Sequence, residues 1–330
     1  MRLAIVGATG MVGREMLEVL SERKFPLTEL ILVASEKSCG NLISFKGRKH
    51  KVISLDNLLK KEVDLALFSA GSKISKIWAP KLAEKGIKVV DNSSYWRMCS
   101  KYPLVIPEIN GNTISKKDMI IANPNCSTIQ LLMAIAPLHK LFKIERVVVS
   151  TYQAVSGTGK QAVEQLKNEQ NLKDSKMSYP HKIFQNIIPQ CDDFLENGYT
   201  KEEMKLTNET KKILDDNINV VATAVRVPVF RGHSESTNIT FAKEFSLDEV
   251  KSTLQETEGL VVLDNLEKKE YPMPINTQKK CEVFVGRIRR DFTKEKSLNI
   301  WVVADNLRKG AATNTIQIAE YLIANKLLVK

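Results

Sequence analysis

The sequence has no long apolar run, no Cys-x-x-Cys pair and no recognisable export signal. Its longest apolar stretches, such as residues 119–122, are far shorter than the roughly 20 residues that a membrane helix needs. The amino terminus passes directly into a strand pattern, without the apolar core and cleavage site of a signal peptide. The five cysteines are an odd number, which argues against a disulfide framework or a zinc site. We therefore expect a cytoplasmic protein with reduced thiols, no membrane segment and no bound metal.

The sequence also lacks a concentrated basic region, although its net charge is +11. Lysines are scattered along the chain, and the densest cluster, KGRKHK at 46–51, has one nearby aromatic residue and is typical of an exposed turn. A nucleic-acid surface would combine clustered cations with aromatic side chains. The charge distribution favours small-molecule partners and argues against nucleic acid.

A chain of 330 residues exceeds the usual size of one hydrophobic core, so two domains are expected. In the first half, short apolar runs alternate with helical patterns, which predicts a doubly wound parallel sheet. The predicted strands are 3–7, 29–35, 63–70, 87–91 and 119–122. After residues 147–150 the pattern changes and predicts a mixed α+β domain, with strands at 220–230, 237–245 and 298–304 and a helix at 247–256. Residues 167–182 are expected to form a surface loop or a small excursion. A final helix at 310–330 is expected to return to the first domain.

The segment GATGMVG at 7–13 follows a strand and opens a helix, so its backbone N–H groups can bind a pyrophosphate. Its spacing is G-x-x-G-x-x-G, which leaves a ligand-free tight turn as the alternative. At the end of the second strand, Ser35, Lys37 and Ser38 are able to hold a ribose 2′-phosphate, whereas Glu36 would repel one. We expect NADP as the cofactor, with NAD left open because of Glu36.

Cys126, in NPNCST at 123–128, stands between a predicted strand and an apolar helix. A thiol at a helix N-terminus is favoured as thiolate, which makes Cys126 the candidate nucleophile rather than a buried inert cysteine. Of the four histidines, His50, His139 and His181 are typical of surface or packing positions. His233, in RGHSES at 231–236, lies just past a strand beside glycine and is the candidate base, with an ordinary turn histidine as the alternative.

With these residues in place, the chain resembles aspartate-β-semialdehyde dehydrogenases of the bacterial type along nearly its whole length. The matching segments are GATGMVG at 7–13, FSAGS at 68–72, DNSS at 91–94, PNCST at 124–128, STYQAVSG at 150–157, EEMK at 202–205, RVPV at 226–229, GHSE at 232–235 and DNL at 305–307. Each is weak alone, but their joint order is specific. The resemblance implies a Rossmann-type sheet domain, 1–127 plus 307–330, and an α+β catalytic and dimerisation domain, 128–306, in a homodimer or homotetramer.

The resemblance also implies a reaction: 4-phospho-L-aspartate and NADPH give L-aspartate 4-semialdehyde, phosphate and NADP⁺, in lysine, threonine, methionine and diaminopimelate synthesis. Cys126 then forms a thioester, and His233 carries the proton. Asn125 and backbone N–H groups stabilise the oxyanion, and Gln153 orients the acyl group.

The substrate's charged groups are matched in the same way. Arg226 corresponds to the carboxylate-binding arginine, Glu202 to the acid facing the amino group, and Arg97 and Lys205 to the phosphate-site cations. The cofactor residues implied are Gly7, Thr9, Gly10, Met11, Val12, Ser35, Lys37, Ser38, Ser69, Gly71, Ser156, Gly157 and Asn306.

Two departures from the family pattern bear on these expectations. In ASEKSCG at 34–40, glutamate and lysine replace the family's alanine and arginine, which affects cofactor preference. Gly232 is expected to leave the base less firmly held. Three alternatives stay open on the sequence alone: N-acetyl-γ-glutamyl-phosphate reductase, glyceraldehyde-3-phosphate dehydrogenase and an inactive dinucleotide sensor. The first two usually carry a different cysteine context.

Overall fold

The computed structural model of the chain describes residues 1–328. These divide into two compact units. The first comprises Met1–Asn125 with the returning carboxy-terminal segment from Ala311, and the second comprises Cys126–Gly310. Positions 329–330 of the predicted final helix lie outside the described residues. The assignment of cofactor binding to one unit and catalysis to the other stays a prediction.

The first unit contains a seven-stranded sheet with the order β3-β4-β2-β1-β5-β6-β7. All of its pairs are parallel except the β3–β4 hairpin. Labels run in chain order through both units. The strands are β1 Arg2–Val6, β2 Glu29–Val33, β3 Leu42–Phe45, β4 Arg48–Ile53, β5 Leu65–Phe68, β6 Lys88–Asp91 and β7 Ile120–Ala122. The helices are α1 Met11–Glu22, α2 Leu55–Leu58, α3 Ser72–Glu84, α4 Pro107–Asn110 and α10 Thr313–Ala324.

The predicted doubly wound sheet is confirmed, because each central parallel strand is an apolar run buried on both faces. Helix α1 buries Met16, Leu17, Val19 and Leu20. The interpretation of 46–51 as a turn was wrong for most of that cluster. Only Lys46 and Gly47 form the turn, with φ of 46° and 76°, and β4 begins at Arg48. Its polar side chains are tolerated because this hairpin forms the exposed edge of the sheet.

The second unit contains a six-stranded mixed sheet with the order β11-β12-β13-β10-β8-β9. Its strands are β8 Ile144–Gln153, β9 Asn219–Arg226, β10 His233–Phe241, β11 Leu260–Val262, β12 Val283–Arg290 and β13 Ser297–Ala304. Its helices are α5 Cys126–Phe142, α6 Lys160–Gln170, α7 Lys201–Ile213, α8 Leu247–Glu256 and α9 Pro274–Thr277. The mixed α+β character is confirmed, and helix α8 has the predicted bounds.

Local sequence signals define the helices of this unit. Helices α7 and α8 each begin with a capping box, Thr200 with Glu203 and Ser246 with Glu249, which satisfies two backbone donors reciprocally. The prediction of a loop at 167–182 was wrong at its start, because residues up to Gln170 complete helix α6. Among residues 1–328, no helix combines the length and apolar character that crossing a bilayer requires.

Candidate functional site

The glycine turn of the first unit has the geometry of a dinucleotide loop. Gly7 has a φ of 91°, and a Cβ there would lie 2.3 Å from the Ser69 carbonyl oxygen. A Cβ on Gly13 would lie 2.3 Å from the Gly7 carbonyl oxygen, so α1 packs directly on the turn. Gly10 is the N-cap of α1. Since the first N–H groups of a helix have no partner within it, a turn that leads so closely into α1 suits pyrophosphate binding.

A cleft of about 310 Å³ lies beside this turn. Five of the predicted cofactor residues line it: Gly7, Thr9, Gly10, Ser35 and Ser69. Its other lining residues were not predicted; they are Val6, Ala34, Leu55, Ala70 and Ile74. Such apolar side chains form no recognisable sequence motif. The strand order nevertheless explains why Ala34 after β2, Ala70 after β5 and Ile74 at the start of α3 lie together.

The remaining predicted cofactor residues of this unit lie around the cleft without lining it. Met11 and Val12 form the first turn of α1, Gly71 caps α3 with a φ of 82°, and Lys37 and Ser38 belong to the short 3₁₀ turn Glu36–Ser38. Desolvation and, after it, the neighbouring Glu36 carboxylate raise the pKa of the Cys39 thiol. Glu36 therefore lies close to Cys39.

Cys126 is the first residue of helix α5, as the sequence predicts. The backbone of Gly310 packs against it so closely that a Cβ at Gly310 would lie 2.7 Å from the Cys126 Cβ. The side chain is half-buried. Asn125, the preceding residue, is buried in the first unit. A thiol at this position experiences the positive end of the helix dipole.

Three predicted site residues meet at one edge of the six-stranded sheet. Gln153 ends β8, and Arg226 ends the parallel strand β9 in register with it. His233 begins β10, which runs antiparallel to β8. His233 lies past the end of β9 and beside Gly232, as predicted, and it is also the first residue of the next strand. Its position at this edge follows from the strand order.

His233 is fully buried, and its Nδ1 accepts the backbone N–H of Ala154 at 3.0 Å. Because this donor is a main-chain amide, Nδ1 must be unprotonated, and the neutral ring carries its proton on Nε2. Burial and then the positive charge of Arg226 lower the pKa of His233 to about 3. The ring is therefore neutral, and within the described residues its Nε2 has no hydrogen-bond partner.

Arg226 is held by its Nη1, which donates to the Ala154 carbonyl oxygen at 2.8 Å. Gly157 lies against both side chains, since a Cβ there would be 3.1 Å from Arg226 Nη1 and from His233 Nε2. The guanidinium also lies 5.9 Å from the centre of the Tyr179 ring. The Arg226 cation and the neutral His233 N–H donor thus lie next to each other, both against Gly157.

A chain of polar contacts begins at Gln153 and continues along α7. The Gln153 amide nitrogen lies 3.1 Å from Ser127 Oγ, 3.2 Å from Thr151 Oγ1 and 3.1 Å from Glu202 Oε1. Lys205 then donates to Glu202 Oε2 at 3.0 Å. Since Ser127 adjoins Cys126, these contacts connect the start of α5 to the predicted substrate residues Glu202 and Lys205.

Asn306 fixes the turn that precedes His233. Its Oδ1 accepts the Gly232 N–H at 3.0 Å, and its Nδ2 donates to Ser156 Oγ at 3.0 Å. Gly232 has a φ of 95°, and a Cβ there would lie 3.0 Å from Pro274 Cα. The expectation that Gly232 loosens the base was therefore wrong. Both the left-handed backbone and the close packing require glycine.

Arg97, the other predicted phosphate-site cation, is a buried residue of the first unit. Its Nη2 donates to the Asn92 carbonyl oxygen at 2.8 Å. Among residues 1–328, no group of three or more His, Cys, Asp and Glu side chains is arranged to hold a metal ion.

Sequence reasoning did not identify several residues that hold the site. Ala154 binds both His233 and Arg226 through its backbone, and a backbone contact leaves no trace in residue type. Asp192, whose Oδ2 accepts a hydrogen bond from Lys205 at 2.8 Å, stands in a loop with no motif. Glu235 follows His233 by two residues and is fully buried. Alternation along β10 was the one available signal for it.

Two family descriptions match the chain. Residues 2–117 match the semialdehyde dehydrogenase NAD binding domain, and residues 135–309 match the semialdehyde dehydrogenase dimerisation domain. The chain is 52% identical to the aspartate-semialdehyde dehydrogenase of Aquifex aeolicus over 99% of both chains. It is 46% identical to that of Campylobacter jejuni over 97% of this chain and 96% of the relative.

Solved structures of aspartate-semialdehyde dehydrogenases are also similar to this chain. Aspartate semialdehyde dehydrogenase II from Vibrio cholerae, complexed with ASA, has a TM-score of 0.93 and 43% identity over 98% of both chains. The enzyme from Candida albicans with NADP has a TM-score of 0.77 and 26% identity over 99% of both chains.

Proposed function

Since this chain belongs to the aspartate-semialdehyde dehydrogenase family, we propose that it reduces 4-phospho-L-aspartate with NADPH to L-aspartate 4-semialdehyde and phosphate. The observation that carries the proposal is the convergence of Gln153, Arg226 and His233 at one sheet edge. Gln153 is bound to Ser127, directly after Cys126. We assign the reaction to the biosynthesis of lysine, threonine, methionine and diaminopimelate.

Cys126 is the proposed nucleophile. Its thiolate attacks the acyl carbon, a carbon–sulfur bond forms, and the carbon–oxygen bond to phosphate breaks, which leaves a thioester. Sulfur donates weakly into the carbonyl, so the thioester accepts a hydride, which NADPH supplies when bound. Collapse of the resulting hemithioacetal returns the thiolate and releases the aldehyde.

The other groups position the substrate and stabilise charge. Arg226 is proposed to bind the α-carboxylate with its planar fork, and Glu202 to face the α-ammonium group. Arg97 and Lys205 are proposed to bind the phosphate. The Nε2–H of His233 is proposed to donate to the reacting oxygen of the substrate, and the ring to transfer the proton during turnover. Asn125 and Gln153 complete the polar surroundings of the carbonyl.

The glycine turn supports a nicotinamide dinucleotide as the cofactor, because a side chain at Gly7 or Gly13 would close the backbone surface that a pyrophosphate needs. Ser35 lines the adjacent cleft, and Glu36 lies by Cys39. We propose NADP over NAD, with Ser35, Lys37 and Ser38 at the 2′-phosphate. The ratio of kcat/KM for NADP⁺ and NAD⁺ measures this preference, and a higher value for NAD⁺ would contradict it.

The deciding experiment is phosphate-dependent reduction of NADP⁺ by L-aspartate 4-semialdehyde. N-acetylglutamate 5-semialdehyde serves as the competing substrate, and a preference for it would overturn the assignment. The Cys126→Ser variant should lose nearly all turnover, because a hydroxyl does not form the reactive anion at neutral pH. Well-folded protein without phosphate-dependent activity would indicate a dinucleotide sensor instead.

A further inference from the structure

Lys205, the proposed phosphate-site cation, lies between two carboxylates. Its Nζ is 2.8 Å from Asp192 Oδ2 and 3.0 Å from Glu202 Oε2. Although desolvation opposes the charged form, the two carboxylates raise the pKa of Lys205 above its ordinary value. Partial burial works against ionisation of Asp192, but the hydrogen bond and charge of Lys205 lower its pKa. Lys205 and Asp192 are therefore both ionised, and the Asp192 carboxylate already balances the ammonium group with a negative charge of its own.

This charge opposes the ligand that the site is proposed to bind. A phosphate dianion that approaches Lys205 gains the attraction of one ammonium group but meets the repulsion of the Asp192 carboxylate and the oxygen atoms of Glu202 at a similar distance. The lysine becomes an effective phosphate ligand only when one carboxylate moves away.

Asp192 is the carboxylate that is able to leave. Glu202 has a side chain that is 9% exposed, and its second oxygen is already held by the Gln153 amide at 3.1 Å. The Asp192 side chain is 35% exposed, and its other oxygen accepts the N–H of the next residue, Asp193. Because the Asp192 side chain is partly exposed, water can solvate its carboxylate once it leaves Lys205, so the contact can be exchanged for an anion of higher charge.

We propose that Asp192 occupies Lys205 in the ligand-free protein and is displaced when phosphate binds, and that it thereby sets the affinity for phosphate. This inference rests on the proposed function, which places the phosphate at Lys205. Asp192 acts as an internal anion that competes for the cation. It weakens binding of the inorganic phosphate that must leave after thioester formation.

The test compares Asp192→Asn with the parent protein. The amide keeps the shape and a neutral acceptor for Lys205 while removing the charge. The dissociation constant for inorganic phosphate, measured by calorimetry at fixed ionic strength, should fall about five- to tenfold. The KM for phosphate in semialdehyde oxidation should fall with it, and the KM for the semialdehyde should not. If Asp192→Asn only removed structural support from Lys205, the dissociation constant for phosphate would rise instead of falling.

The neighbouring Asp193 provides a matched control, because its carboxylate is bound by Lys201 at 2.6 Å on the exposed side of the same loop. Asp193→Asn should leave phosphate affinity unchanged. Unchanged or weaker binding in Asp192→Asn would overturn the inference, as would equal tightening in both variants or no phosphate binding in any of the proteins. If the parent protein binds phosphate but lacks phosphate-dependent turnover, the proposed function fails, while the comparison of affinities still decides the role of Asp192.

Discussion

The imidazole of His233 is held in one protonation state by its surroundings. The main-chain N–H of Ala154 occupies Nδ1, and burial with Arg226 lowers the pKa to about 3. A proton from Cys126 would have to be accepted at Nδ1, at the expense of the Ala154 contact, or at Nε2 after a change of tautomer. The imidazole of the resting protein is therefore unsuited to form an imidazolium at neutral pH, and we expect the proposed thiolate of Cys126 to depend on the helix start instead.

We predict that His233→Asn leaves the ionisation of Cys126 in the free protein unchanged while turnover falls at least about a hundredfold, the usual contribution of a positioned acid–base group. Asparagine can accept the Ala154 N–H and remain buried. The measurement is the pH dependence of the rate at which iodoacetamide labels Cys126, with the labelled protein detected by mass spectrometry.

His181→Asn is the matched control, since His181 is exposed. It should alter neither labelling nor turnover. A shift of the labelling midpoint by about one pH unit or more in His233→Asn would mean that the imidazole and the thiol are coupled in the resting protein.

Arg226 is proposed to bind the substrate carboxylate, and its side chain is held in place by the backbone of the protein. Its Nη1 is fixed by the Ala154 carbonyl oxygen, so the remaining face of the guanidinium is presented in one orientation. Arg226→Lys keeps the charge but loses bidentate geometry. We expect the KM for the semialdehyde to rise by about ten- to a hundredfold, with a smaller change in kcat. Steady-state kinetics measure both, and an unchanged KM would contradict the placement of the substrate carboxylate.

At the scale of elements, strand β10 contributes residues both to the candidate site and to the buried core. Alternation places His233, Glu235 and Thr237 on one buried face of this strand. Burial raises the pKa of Glu235 well above its ordinary value, opposed by the amide of Gln130, which lies one turn after Cys126 in α5. Burial therefore favours the neutral form of the Glu235 carboxyl in the folded chain.

This state predicts a pH-dependent stability. The folded pKa lies above the unfolded value of 4.5, so the folded chain retains a proton that the unfolded chain loses. The stabilisation is complete below that value and is lost as pH rises toward the folded pKa, at up to about 1.4 kcal/mol per pH unit. Glu235→Gln should remove this loss. Its advantage over the parent in urea unfolding should grow between pH 5.5 and 7.5.

The exposed Glu258 supplies the control, because Glu258→Gln should parallel the parent at every pH. A constant difference between Glu235→Gln and the parent across this range would show that Glu235 is ionised in the folded protein.

The elements that the sequence predicted best are those with one dominant signal. Helix α8 has a capping box and an amphipathic pattern, and the central parallel strands are continuous apolar runs. The start of β10 was missed because His233, Ser234 and Glu235 are polar residues that the sheet buries. Their burial depends on tertiary contacts, and the hydrophobic periodicity of the sequence does not predict such contacts. The local sequence context singled out Cys126 and His233, and the family resemblance gave them roles in one reaction. The Ala154 and Asn306 contacts that hold the site required coordinates.

At the scale of the whole molecule, one face of the sheet of the second unit is partly exposed. The side chains of Tyr152 and Trp301 alternate away from the buried side of β8 and β13, with ring centres 5.5 Å apart. Val221 on the adjoining part of the sheet is 39% exposed. Aromatic and aliphatic side chains on one partly exposed face are typical of a subunit contact. The matching dimerisation domain supports assembly through this unit.

We predict a homodimer that forms through this face. Sedimentation should give a species of twice the 37.1 kDa chain mass, and Trp301→Glu and Val221→Glu should each shift it toward monomer, because a charge buried without a partner opposes association. Phe292→Glu is the control, since Phe292 is 98% exposed at the turn after β12 and its substitution should leave the mass unchanged. A tetramer in the parent protein would require a second contact surface. Dimers that persist in both sheet variants would place the interface elsewhere.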